Sequence, residues 1–241
     1  MRRIKKTVIL FALAVYLPVI SIGQTWTPLS YQPHETRSRW SVEYHFGAVS
    51  NLKLPLTFVQ RGYPDIHIAK ADIYSEPFTS PHYWDMRLVK WFKKDGISLE
   101  LIHHKIYLRN APPEVKRFTI SHGYNIFLLS YNRNFKWFNI AAGGGTVMMH
   151  PESTIRGKVW SEGDGSNWSG YLLNGIALNL AVSHQVRIYK RFYLNLEGKV
   201  IYSKANVPIV DGYAKFNNVA FQLIFGPGID WGYSKKYNAM K

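Results

Sequence analysis

Three short stretches carry the side chains best suited to moving protons: His103-His104, Ser121-His122, and His150 with Glu152 two residues on. A serine hydroxyl becomes a nucleophile only when an imidazole accepts its proton and a carboxylate fixes that imidazole's tautomer. No single stretch supplies all three groups, so the chemistry depends on the elements that bring them together. The chain has no cysteine, which excludes a thiol nucleophile, a thiolate metal site and a disulfide framework. His103 and His122 lack a third ligand, so no metal is expected, and nothing calls for a cofactor. Gly143, Gly144 and Gly145 lie inside a strand pattern rather than between a strand and a helix, and are no phosphate-cradling loop.

The positioning elements announce themselves by alternation. From 172 to 186, Leu172, Ile176, Leu178, Leu180, Val182 and Val186 alternate with Gly175, Ala177, Asn179, Ala181, Ser183 and Gln185. Phe192, Leu194, Leu196 and Val200 alternate with Tyr193, Asn195, Glu197 and Lys199, and the segment ending at Trp231 and Tyr233 repeats the pattern. Further strands are expected near 66–75, 82–92, 97–109, 117–131 and 137–149. Tight connections at 93–96, 132–136 and 189–191 alternate with longer ones at 110–116, 150–170 and 204–214. Short turns on one side and long loops on the other are the habit of an all-β, antiparallel up-and-down transmembrane β-barrel. The count is eight strands from residue 66 onward, or ten if 39–49 and 55–61 add a hairpin. A soluble sandwich or calyx is the competing fold; it requires a hydrophobic core to match the greasy faces. A barrel this small fills its interior with side chains, which argues against a general porin.

Residues 1–23 have the form of a secretory signal peptide, with Arg2, Arg3, Lys5 and Lys6 ahead of the apolar run Val8 to Ile20 and small residues at Ser21 and Gly23. The expected organisation is that leader, an N-terminal segment 24–38, a barrel over 39–233 and a tail 234–241. The formal net charge is +15, and the excess survives removal of the four leader cations. In an exported chain such a charge favours lipid phosphate over nucleic acid as partner. The 16 Tyr and 8 Trp supply the residues that settle at membrane interfaces.

With apolar side chains turned to lipid, Leu99 and Leu101 direct Glu100 and His104 inward, and Phe118, Ile120, Ile126 and Leu128 direct Thr119, Ser121 and Asn125 inward. Folding the hairpin about Pro112-Pro113 sets His104 beside Ser121, and folding about Asp95-Gly96 brings Asp85 or Arg87 to the other side of His104. Asp85, His104 and Ser121 then form a carboxylate–imidazole–hydroxyl row. The same residues equally suit an interior plug, with Lys70, Asp72, Asp85, Arg87 and Glu100 as its charges. His103, Lys105 and His122 are expected outside at headgroup level, and His150, Arg156 and Lys158, with Trp160 and Trp168 in the same loop, are expected to meet phosphorylated glycolipid.

By leader, strand count and loop alternation, residues 39–233 resemble the small bacterial outer-membrane barrels, a group of structural proteins and lipid A acyltransferases and deacylases. That resemblance implies a Gram-negative outer-membrane location, a monomer, and lipid or lipopolysaccharide as partner. Its finer implication is hydrolysis or transfer of an acyl chain on lipid A; the alternative is a structural or lipid-binding barrel. The deacylase pattern has His and Ser two apart on one strand with a Glu further along, whereas Ser121 and His122 are adjacent and expected on opposite faces, so its catalytic residues do not carry over. Eight residues follow Tyr233, where the usual assembly signal ends on the aromatic itself.

Overall fold

A computed structural model describes residues 38–135, 137–161 and 170–232. The expected leader, nearly all of the N-terminal segment, Trp168, Tyr233 and the tail lie outside the described residues. The strands are β1 (Arg39–Asn51), β2 (Leu54–Gln60), β3 (Ile66–Ala71), β4 (Ile73–Tyr74), β5 (Trp84–Phe92), β6 (Asp95–Leu108), β7 (Val115–Asn134), β8 (Asn139–Met149), β9 (Glu152–Ile155), β10 (Lys158–Trp160), β11 (Leu172–Tyr189), β12 (Phe192–Ile209) and β13 (Gly212–Trp231). An antiparallel ring runs β1, β5, β6, β7, β8, β11, β12, β13 and back to β1, where Trp40 pairs with Trp231. The wall therefore has eight strands.

Two assignments made from alternation are corrected. Segment 66–75 is not a wall strand: β3 pairs only with β2, which pairs with the outer end of β13, and β4 pairs with the end of β6. Its pieces are too short to cross a bilayer, which takes roughly 9–11 tilted residues. The first wall strand is 39–51 instead. Nor is 204–214 a loop, because β12 and β13 stay paired up to Ile209 and Gly212. The 150–170 connection likewise contains the β9–β10 hairpin.

The cause of both errors is visible along β12. Its residues alternate without interruption between exposed and buried, but the chemistry of the two faces inverts part-way. From Phe192 to Tyr202 the outward side chains are Phe192, Leu194, Leu196, Val200 and Tyr202, over inward Tyr193, Asn195, Glu197 and Lys199. From there outward Lys204 and Asn206 cover inward Ala205, Val207 and Ile209. β13 inverts at the same height, with Val219 opposite Tyr202 and Asn217 opposite Lys204. The lower part faces lipid, and the upper part stands in water as a turret with an apolar interior.

The bore is filled at both levels. Leu56, Phe58, Ile106, Phe118, Ile120, Tyr124, Val207 and Phe216 belong to the turret core, each at most 2% exposed. Below, Arg87 bonds Glu43 (3.1 Å), Glu100 (3.0 Å) and Glu197 (2.5 Å). Lys199 bonds Asp85 (2.6 Å) and Glu100, and lies 3.2 Å from Glu197. His45 joins Asp85 (3.4 Å) and Asn195 (3.1 Å). Of the expected plug, Asp85, Arg87 and Glu100 take part. Lys70 is exposed on β3 and Asp72 pairs with Lys53 at 2.8 Å, both in the turret. The glycines of β8 let the β7 backbone lie close: a Cβ on Gly145 would meet the Phe127 carbonyl of β7.

Removing one partner from a buried ion cluster leaves uncompensated charge. Arg87→Met is expected to cost about 3–5 kcal/mol, measured as a lower temperature for loss of the compact, heat-modifiable form on gels, while Arg87→Lys loses less.

Candidate functional site: a bulge at the outer membrane boundary

β6 and β7 pair regularly up to His103 opposite Asn125 and His104 opposite Tyr124, then resume at Ile106 opposite Ile120. Between these points Lys105 alone faces Ser121, His122 and Gly123. Bulges of this kind bend a strand and re-aim its side chains. Gly123 makes this one possible: its φ is +134°, and a Cβ there would meet the Asn125 side chain at 2.7 Å.

The faces of β7 are the reverse of those expected, on both sides of the bulge. Phe118, Ile120, Ile126 and Leu128 are buried in the interior, each at most 2% exposed, and not turned to lipid. The outward alternates are Arg117, Thr119, Asn125, Phe127 and Leu129. Residues 126–129 are apolar on both faces, so alternation could not choose between them. Ser121 and His122, expected to point apart, meet instead: Ser121 Oγ lies 3.3 Å from His122 Nδ1.

Ser121 Oγ also donates to Glu152 Oε1 at 3.2 Å, and that oxygen lies 3.4 Å from His122 Nδ1. Arg117 holds the other carboxylate oxygen at 2.5 Å. Tyr171 donates its hydroxyl to the His122 carbonyl at 3.0 Å, and buried His150 packs 5.5 Å from His122 and 5.0 Å from Tyr171, centroid to centroid. Just below, His103 stacks on Trp84 at 5.4 Å and contacts Asn125 Oδ1 through Nδ1 at 2.8 Å.

The row Asp85, His104, Ser121 does not assemble. His104 points inward, with Nδ1 3.3 Å from Ser75 Oγ, while Ser121 lies on the other side of the wall. Asp85 is engaged by Lys199 and His45. Lys105 is buried, not an exposed anchor: its ammonium donates to the Thr79 carbonyl at 3.0 Å under the 75–83 connection. Arg156 bonds Gln60 (3.1 Å) and the Pro64 carbonyl (2.6 Å) and lies 4.9 Å over Tyr63, while Lys158 bonds Asp211 at 2.5 Å. These two cations tie extracellular hairpins together. Arg117, Tyr171 and the role of Glu152 went unread in the sequence; of the signals available, only the glycine at 123 inside an apolar strand marks the bulge. Asp85, Glu100 and Glu197 offer ligand oxygens within 4.8 Å of one another, but Lys199 and Arg87 already bridge those carboxylates.

No protein-family model matches the chain, and no curated protein matches it in sequence. Among solved structures, it is similar to the outer membrane protein AlkL determined in lipid bilayers, at 12% identity, covering 83% of this chain and 92% of that one with a TM-score of 0.51. Weaker likenesses are to the attachment invasion locus protein Ail of Yersinia pestis (8% identity, 82% and 99% covered, TM-score 0.38) and the outer membrane protease OmpT of Escherichia coli (9%, 85% and 99%, 0.39). The fold is that of a small bacterial outer-membrane β-barrel. Its apolar girdle and inverted turret are those of a barrel that crosses a membrane with its strands.

Two outcomes are expected at this end of the barrel. Gly123→Ala strains the bulge, lowering stability by about 1–2 kcal/mol and raising amide exchange in β7, as mass spectrometry would measure. The Lys158 hydrogen bond, and then its charge, hold Asp211 below the usual carboxylate range. A depressed folded value stabilises above the unfolded pKa and is lost as pH falls through the folded one. Exchange in 152–160 should therefore rise below about pH 4, and Asp211→Asn should remove that dependence.

Proposed function

We propose that the protein holds the phosphorylated glycolipid of the outer leaflet on the wall formed by β6, β7 and β9. The observation that carries this reading is the vertical order of side chains on that one wall. Leu99, Leu101, Phe127 and Leu129 face outward at acyl-chain height, His103 and Asn125 mark the boundary, and Ser121, His122 and Arg117 follow. Above them Lys116 is exposed, and Arg109 is 62% exposed and lies 4.6 Å over the Tyr74 ring. Cations set just above an apolar surface suit a lipid that carries phosphate above its acyl chains. The filled bore leaves the outside of the wall as the working surface.

Hydrolysis or transfer of an acyl chain on that lipid is the finer form of this reading. The row expected for it contains no relay, since Asp85 and His104 lie inside the wall and Ser121 outside, so binding is the form that the geometry favours. Arg109→Glu combined with Lys116→Glu is expected to weaken binding of lipopolysaccharide to the detergent-purified barrel by about tenfold or more. The loss should shrink with dephosphorylated lipopolysaccharide, measured by calorimetry, while heat-modifiable migration is unchanged. Equal binding by the variant would reject this wall.

A further inference from the structure

We propose that the bulge builds a binding site for a divalent transition ion of the zinc class, with His122, Glu152 and His150 as its protein ligands. His122 Nδ1 and Glu152 Oε1 lie 3.4 Å apart, and Ser121 Oγ lies 3.3 Å from the first and 3.2 Å from the second. Atoms bound at about 2.0–2.1 Å to one tetrahedral ion stand roughly 3.3 Å from each other. The imidazole and the carboxylate therefore already hold two corners of such a site. The third ligand, which His103 and His122 lack in the sequence pattern, comes from the β8–β9 connection: the His150 ring centroid is 5.5 Å from that of His122, at an interplanar angle of 47°. Two imidazoles on one tetrahedral ion have centroids roughly 5 Å apart. A turn of the buried His150 ring about its side-chain bonds completes the set.

The frame around these side chains is set by their backbone and by outer hydrogen bonds. The His150 amide donates to the Gly123 carbonyl at 3.2 Å and the Tyr171 hydroxyl to the His122 carbonyl at 3.0 Å, so both imidazoles hang from tied backbone. Arg117 binds the far oxygen of Glu152 at 2.5 Å and Ser121 donates to the near one, which is how a ligating carboxylate is oriented. Donor chemistry then selects the ion. Imidazole nitrogens suit zinc, copper and nickel, whereas calcium and magnesium take about six or more ligands, chiefly oxygen. Here one carboxylate oxygen is committed to Arg117. In contrast to the carboxylates of the bore, this cluster is not bridged by a buried ammonium, because Lys105 is folded under the 75–83 connection. The His122 side chain is 50% exposed, so the ion enters from the outer surface and keeps its remaining position for water. Bound there, it ties the bulge to the β8–β9 connection. The site needs no lipid and stands or falls apart from the glycolipid reading.

The test takes the full chain, purified in detergent without a histidine tag and stripped with a chelator, and titrates it with Zn²⁺ by calorimetry in the absence of lipopolysaccharide. One ion per chain is expected, and the bound ion should raise the temperature at which the heat-modifiable form is lost. His122→Ala and His150→Ala should each weaken binding about a hundredfold or more, while Ser121→Ala, which loses only an orienting hydrogen bond, should weaken it about tenfold. Co²⁺ should give the strong visible absorption of a four-coordinate site in the wild type and lose it in His150→Ala. Ca²⁺ should neither bind nor displace Zn²⁺. Heat-modifiable migration checks each variant; should His150→Ala fail to form a barrel, His122→Ala, at a half-exposed position, decides alone. No binding by the wild type, unchanged binding in His122→Ala or in a folded His150→Ala, or displacement by Ca²⁺ overturns the site.

Discussion

The constraint on which the rest of this molecule depends is the height at which lipid gives way to water along a single strand. Below it, an outward side chain must be apolar and an inward one can be ionic; above it, the preferences exchange. β12 satisfies both regimes with one unbroken alternation, because the pleat fixes only which side a residue faces, not what lies there. The two fillings of the bore follow from this. Inside the lipid belt, Arg87 and Lys199 are held by carboxylates from several strands, and above it phenylalanine and aliphatic side chains pack as in a soluble protein.

The same boundary explains where the polar cluster sits. A strand pair crossing from one regime to the other can leave ideal register where backbone groups can reach water or headgroups, and β6–β7 does so at Lys105 and Ser121–Gly123. Once β7 bulges, neighbours in sequence that a flat strand would send to opposite faces share one face. The β9 strand then supplies Glu152, and Arg117 joins β7 to that carboxylate. The extracellular hairpins add rigidity: Arg156 and Lys158 join β9–β10 to the tips of β2–β3 and β12–β13.

Much of the wall was legible in the sequence because alternation of period two survives burial on one side only. β11 and the lower half of β12 are such cases, and Glu100 and His104 were correctly turned inward by Leu99 and Leu101. β7 was illegible for the opposite reason: Ile126 to Leu129 are apolar on both faces, so nothing in the pattern distinguishes lipid from core. The phase reversal after Tyr202 was written in the sequence, but under a rule that apolar means outward its polar residues resemble a loop. Segment 66–75 misled similarly, since its strands belong to the turret and not to the membrane wall.

By itself, then, the sequence determined the fold class, the even ring and the inward placement of Asp85, Arg87 and Glu100, because each depends on local alternation against a greasy solvent. Only the tertiary structure decided which side chains meet. Arg87 and Glu197 are 110 positions apart and touch because the ring closes. Ser121 meets His122 and Glu152, and not His104 and Asp85, because three residues of β7 are set against one of β6. Register across a bulge is a property of two strands pairing, and no pattern within either strand specifies it.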